Sequence, residues 1–136
     1  MKIVGIDYGR RKIGLAVGDT DNKFAEPLMV VRVESEEKAI KKVSEVSKVS
    51  RVSKVVIGIS EGKTAEETKD FGRKLQEEIK LPVLYFDETL STHDAIELSI
   101  AGGMKRKKRK NMEDAYAAAI MLQNYMENLS KNNNLI

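Results

Sequence analysis

Carboxylates stand at three places in this sequence where apolar segments end or a helix begins. Asp7 closes the run Lys2 to Ile6, and Asp87 and Glu88 close the run Val83 to Phe86. Asp114 opens the last long apolar-periodic stretch. Grouped carboxylates repel one another and raise each other's pKa unless a cation neutralises them. Hard divalent ions such as Mg²⁺ and Mn²⁺ prefer carboxylate and water oxygens. A pair of such ions can activate a water and stabilise the leaving oxygen in phosphodiester hydrolysis. The chain has no cysteine and a single histidine, His93, which excludes thiolate sites and disfavours zinc. Each acid also has an ordinary structural use. A strand-ending aspartate can close a turn onto backbone N–H groups, an aspartate in a first helical turn complements the helix dipole, and Asp87 and Glu88 can be solvated loop residues. Taken together, the three places point to a site.

The positive charge is concentrated. Lys105, Arg106, Lys107, Lys108, Arg109 and Lys110 form an unbroken run just before Asp114. The whole chain carries only +3, so the remainder is acidic on balance. Dense Lys/Arg gains affinity for a nucleic-acid backbone by releasing counterions, and it positions a substrate without reading its sequence. Arg10, Arg11 and Lys12 follow Asp7 directly; they can hold a phosphate or form a solvated turn. His93 can assist proton transfer near Glu88 or simply sit at a helix start. Aromatic residues make up only 5%, which disfavours a base-stacking platform.

These groups need elements to hold them. Lys2 to Asp7 and Lys12 to Val17 read as an antiparallel hairpin with Gly9 in its turn. Leu28 to Val33 is a third strand, with Pro27 at its start. Glu34 to about Arg51 is helical, although Val43, Val46, Val49 and Val52 repeat every three residues, so their stripe must drift around the helix. Val55 to Ile59 is a fully apolar strand. Thr64 and Glu67 have capping-box spacing ahead of Phe71, Leu75 and Ile79. Val83 to Phe86 is a fifth strand after Pro82. Ser91 or Thr92 caps a short helix ending at Gly102 and Gly103. Asn111 caps a last helix whose apolar face is Ala115, Ala118, Ala119, Leu122, Met126 and Leu129.

This order predicts an α/β fold: a mixed five-stranded sheet, three strands followed by alternating helix and strand, with helices on both faces. The strands ending at Asp7 and at Asp87/Glu88 run parallel, and ligand chemistry in such sheets gathers at the carboxyl edge. Residues 1–130 read as a single domain, and 131–136 as a frayed, asparagine-rich tail. No stretch is apolar for long enough to span a bilayer, and the N-terminal residues lack the pattern of a secretory leader. With no cysteine, the expectation is a cytoplasmic protein.

Asp7-Tyr8-Gly9 followed by Arg10-Arg11-Lys12-Ile13-Gly14-Leu15-Ala16-Val17 resembles the opening motif of the YqgF family. Asp87-Glu88-Thr89-Leu90-Ser91-Thr92 resembles its second motif, with Thr89 where that motif has arginine. The run 105–110, then Asp114-Ala115-Tyr116-Ala117-Ala118 and Leu122-Gln123-Asn124-Tyr125, is similar to its C-terminal signature. The family contains Holliday-junction resolvases, also assigned to processing the 5′ end of pre-16S ribosomal RNA. The resemblance implies an RNase H-like fold, with Asp7, Glu88 and Asp114 as catalytic, metal-binding carboxylates for Mg²⁺ or Mn²⁺, with two ions expected. One departure stands out. Gly58-Ile59-Ser60-Glu61-Gly62 replaces the family's Gly-Leu-Pro, which makes Glu61 either a further acidic ligand or an exposed loop residue.

The expected function is a metal-dependent endonuclease acting on structured RNA or branched DNA. Three alternatives stay open. A junction resolvase makes two symmetric cuts and calls for a two-fold homodimer, whereas an RNA processor can work as a monomer. A non-catalytic nucleic-acid-binding module would keep the same fold. A kinase or ATPase of the actin type shares the aspartate-glycine hairpin but needs a second domain to close its cleft.

Overall fold

The computed structural model describes residues 1–59, 64–87 and 111–134. The expected features at Glu61, Glu88, Thr89, the short helix capped by Ser91 or Thr92, His93 and the basic run 105–110 lie outside them. The described elements are β1 (Lys2–Asp7), β2 (Lys12–Asp19), β3 (Phe24–Arg32), α1 (Glu36–Val49), β4 (Lys54–Ile59), α2 (Thr64–Ile79), β5 (Val83–Asp87) and α3 (Glu113–Asn134). The five strands form one sheet in the order β3-β2-β1-β4-β5. β1 pairs antiparallel with β2 and parallel with β4, and β4 pairs parallel with β5. The mixed sheet is therefore the expected one, and the strands ending at Asp7 and Asp87 do run parallel.

Two apolar layers sandwich the sheet. On one face Val4, Ile6, Ile13, Leu15, Val55 and Ile57 pack under Ala39 and Val43 of α1 and Phe71 and Leu75 of α2. On the other, Ile3, Ala16 and Val56 pack against Ala118, Ala119, Leu122, Tyr125 and Met126 of α3. β1 and β4 contribute to both layers because they are central and covered on both sides.

α1 shows how a drifting valine stripe is resolved. Its buried residues are Ala39, Val43, Ser44, Val46 and Ser47, a spacing close to 3.6 rather than three. The helix buries two serines and leaves Val49 84% exposed. The Ser47 hydroxyl offsets its burial by donating to the Val43 carbonyl (2.8 Å). Ser35 caps the start, its side chain accepting from the Lys38 N–H (3.1 Å). At the end, Arg51 adopts φ 55° while the Val52 N–H bonds the Ser47 carbonyl and the Arg51 N–H the Lys48 carbonyl. That reverse turn drops Val52 back into the core.

Several boundaries differ from expectation. β3 starts at Phe24, so Pro27 lies inside the strand rather than at its start. β3 is an edge strand, where a missing N–H is tolerated, and its register with β2 shifts between Leu15 and Ala16, leaving Leu28 unpaired. α3 begins at Glu113, and the Tyr116 N–H bonds the Met112 carbonyl, so the cap falls at Met112 and not at Asn111. α3 also continues to Asn134, making residues 131–134 helical where composition suggested fraying. No helix among the described residues is long and apolar enough to cross a membrane.

The two valines separate packing from pattern. Val46→Ala should cost about 2 kcal/mol, whereas Val49→Ser should stay within about 0.5 kcal/mol of the parent. Denaturant titration of both variants checks this, and equal losses would mean that α1 packs in another rotation.

Candidate active site

Asp7 is the last residue of β1 and is half-buried. Strand alternation puts Ile3, Gly5 and Asp7 on the α3 face of the sheet. Across the ladders Asp7 pairs with Gly14 of β2 on one side and Gly58 of β4 on the other. Its direct ladder partners on both strands therefore carry no side chain.

The second carboxylate arrives with α3, and glycines decide where. A Cβ on Gly14 would collide with the backbone carbonyl of Asp114 and the amide of Ala115. A Cβ on Gly5 would press on Leu122 and the Ala118 carbonyl, and one on Gly18 on Met126 and Leu122 (2.9–3.3 Å). Asp114, Ala118, Leu122 and Met126 are spaced four apart, so they form one ridge of α3. That ridge lies in a groove without side chains, and its first residue rests on the glycine directly opposite Asp7. The fold thus brings Asp7 and Asp114 to the same end and face of the sheet. Asp114 is half-buried and makes no ion pair among the described residues.

Polar clamps fix the rest of the helix. Gln123 Nε2 donates to the Lys23 carbonyl (2.6 Å), and its Oε1 accepts from the Ala25 N–H (3.0 Å), tying α3 to the β2–β3 turn. Lys54 Nζ donates to the Tyr125 hydroxyl (2.8 Å), and the Tyr125 ring meets Phe86 edge-on at 5.9 Å. Leu122, Gln123 and Tyr125, prominent in the C-terminal motif, are thus the residues that seat the helix carrying Asp114.

Asp87 does not join this pair. Phe86 lies opposite Gly58 and packs with the α3 layer, so the next residue, Asp87, falls on the α1/α2 face with Ile57 and Tyr85. Grouping Asp87 with Asp7 on the strength of a shared strand edge overlooks this alternation. Glu88, the remaining member of the expected set, lies outside the described residues. Among those residues no three acidic or histidine side chains gather as a metal site.

The basic turn is only partly available. Arg11 and Lys12 are exposed. Arg10 is instead held by Glu67 through two hydrogen bonds, Nε to Oε2 (2.8 Å) and Nη2 to Oε1 (2.6 Å). Glu67 is in the first turn of α2, and both its oxygens accept from Arg10. The hydrogen bond from Arg10 holds the Glu67 carboxyl below its ordinary pKa, and the same bond raises that of Arg10. Tyr8 lies beneath, its ring 4.8 Å from Phe71. Burial, then the charges of Glu36 and Glu67, push the Tyr8 hydroxyl up. Glu67 was missed as a site residue because its partner is 57 positions away. The glycine groove did leave a signal: Gly14, Ala16 and Gly18 are small residues that line one face of β2, with the larger Ile13 and Leu15 on the other.

Residues 1–128 match the family described as RuvX, Holliday junction resolvase. The chain belongs to this family. The YqgF resemblance of its motifs is the same relationship. A relative from Lactococcus lactis subsp. lactis, provisionally named a pre-16S rRNA nuclease, is 36% identical over 93% of this chain and 94% of its own length. One from Caldanaerobacter subterraneus subsp. tengcongensis with the same name is also 36% identical, over 93% and 96%. Among solved structures, Thermus thermophilus RuvC in complex with Holliday junction substrate aligns with a TM-score of 0.66 at 21% identity, over 96% of both chains. The fowlpox virus resolvase bound to Holliday junction DNA aligns with a TM-score of 0.66 at 14% identity, over 95% of this chain and 99% of that one. At these identities the structures establish the fold, which is RNase H-like. Membership of RuvX carries the reaction class: the protein is a nuclease, a phosphodiester hydrolase.

Gly14→Ala should push the first turn of α3 off the sheet. The expected result is a stability loss of roughly 1–3 kcal/mol, with a larger fall in activity than global unfolding explains. A Gly14→Ala protein with parental melting and cleavage would show that α3 is not seated there. The Arg10–Glu67 pair gives a pH test. Because the folded-state pKa of Glu67 is depressed, the pair contributes fully above the ordinary glutamate value of about 4.3 and is lost as pH falls through the lower folded value. An NMR titration of the Glu67 side chain should give a midpoint below that ordinary value, and Arg10→Ala should return it to normal.

Proposed function

We propose that this RuvX-family chain is a metal-dependent endonuclease that processes pre-16S ribosomal RNA, with Asp7, Glu88 and Asp114 as its catalytic carboxylates. The observation that carries the reading is the seating of Asp114 on Gly14, opposite Asp7. The described donors fit a hard divalent cation: both are carboxylates, both are half-buried, and glycines flank Asp7 in both ladders. Asp7, Glu88 and Asp114 would hold Mg²⁺ or Mn²⁺, with two ions expected. When bound, such ions activate water and neutralise charge on the scissile phosphate.

The chain's own residues supply binding and orientation. Gly14 and the α3 ridge hold Asp114 against β2, so the two carboxylates keep a fixed relation before substrate arrives. Arg11 and Lys12, at the mouth of the same sheet end, are placed to meet backbone phosphates. The run Lys105 to Lys110, directly before Asp114 in sequence, would track the nucleic-acid backbone and give binding a steep salt dependence. None of these groups reads a base edge, so substrate choice would follow shape more than sequence.

The relatives at 36% identity carry the ribosomal RNA name and favour RNA. A four-way DNA junction is the second reading, favoured by the family's own description. It would require a two-fold dimer to make paired cuts, and the RNA reading would not. An RNA precursor as substrate would also put the protein in the cytoplasm.

The test is cleavage of a labelled pre-16S leader and of a synthetic four-way junction by the purified protein, with Mg²⁺ or Mn²⁺ and with chelator. Asp7→Asn should keep the parental circular dichroism and melting while losing at least about 100-fold in rate. Full activity in that variant would sink the carboxylate assignment. Binding of either substrate with no cutting under any condition would favour a non-catalytic module.

A further inference from the structure

The Arg10–Glu67 pair has a one-sided geometry. Glu67 takes Nε and Nη2, which is the side edge of the guanidinium. A guanidinium has five N–H donors in a rigid planar fork, so among the described residues three remain: one on Nη2 and both on Nη1. These define the outer edge, spaced to accept two oxygens of a phosphate at once. The Arg10 side chain is 66% exposed, so that outer edge is not buried in the protein. Arg10 itself stands three residues beyond Asp7, in the turn at the carboxyl end of β1.

The anchor is itself anchored. α2, which carries Glu67, packs into the sheet through Phe71 and Leu75. Asp70, one turn further along, pairs with Arg73 (2.6 Å) and Lys74 (3.1 Å), and Lys74 reaches Glu36 of α1 (2.7 Å). Nearby cations are thus engaged with other acids, which leaves Glu67 to Arg10. Exposed ion pairs contribute little stability. What this one supplies is orientation: two hydrogen bonds to a residue on α2 set the direction of a long side chain in the β1–β2 turn.

We infer that Glu67 is a positioning residue that presents the outer edge of Arg10 to a backbone phosphate of the nucleic acid. The inference rests on the nuclease reading above. It adds that the basic turn is not three equivalent cations. Arg10 is a preorganised bidentate phosphate contact, and Arg11 and Lys12 are exposed charges without such a buttress among the described residues.

The experiment uses the full chain and measures binding separately from chemistry. Equilibrium binding of a fluorescent pre-16S leader RNA and of a labelled four-way junction is followed in chelator, and KM and kcat in Mg²⁺. Glu67→Ala should weaken binding and raise KM about three- to tenfold with kcat little changed. Glu67→Gln, which keeps an acceptor for the arginine, should recover part of that loss. Arg10→Ala should weaken binding at least as much. The double variant should be no worse than Arg10→Ala alone, because Glu67 acts only through Arg10. A Glu67→Ala protein that melts earlier but binds and cuts with parental KM would overturn the inference and leave a purely structural pair. Tighter binding by Glu67→Ala would overturn it in the opposite sense, making Glu67 a competitor for the arginine. Failure of the parent protein to bind or cut either nucleic acid would instead bring down the nuclease reading, and this inference with it.

Discussion

The arrangement turns on one close approach, the backbone of Asp114 resting on the Cα of Gly14. A helix packed on a sheet normally stands off by the thickness of two side-chain layers. Here Gly5, Gly14 and Gly18 remove one of those layers along the line where α3 crosses β1 and β2. The ridge of Asp114, Ala118, Leu122 and Met126 settles into the gap. Because Gly14 is the ladder partner of Asp7, this packing also fixes a distance between two carboxylates on elements far apart in sequence. Core packing and site geometry are therefore one constraint. The clamps at Gln123 and Tyr125 act along the same helix and prevent it from sliding in its groove.

The other face of the sheet is built differently. α1 and α2 pack through ordinary apolar side chains, and charge is added at the rim. Arg10–Glu67, Asp70–Lys74 and Lys74–Glu36 link the β1–β2 turn to α2 and α2 to α1. Exposed pairs of this kind add little to folding free energy, but each restricts the rotamers of its members. The sheet thus meets its carboxyl edge with a close-packed helix on one side and an ion-paired rim on the other. Carboxylates stand on the first side. A cation that projects past β1 stands on the second.

Much of this was legible in the sequence. The strand and helix order followed from apolar runs, turn residues and the breaks at Pro82 and Gly9, because those signals are local. Asp7 and Asp114 were legible as candidates because each sits at the end of an element that periodicity could locate. Other features depended on contacts that no local pattern encodes. Pro27 could enter a strand only because β3 is an edge with a register shift, and edge position is a property of the sheet. The serines of α1 are buried because the helix obeys its own 3.6-residue period rather than the valine spacing. Glu67 also binds Arg10 across 57 residues, a partner no local pattern reveals.

Asp87 carries the general point. A shared strand edge says little about which acids can meet, because neighbouring strand residues face opposite sides of a sheet. Phe86 belongs to the layer of α3, which consigns Asp87 to the layer of Tyr85. Asp7 is on the face covered by α3 and has glycine opposite it on both adjoining strands. An aspartate that only closed a turn would gain nothing from bare neighbours on two strands and a helix brought down beside it. A carboxylate that must share a ligand with a second one needs both, since side chains at those positions would fill the space the ligand requires. Among the described residues, the glycines beside Asp7 in both ladders, more than the carboxylate itself, are the argument for a ligand at this strand end.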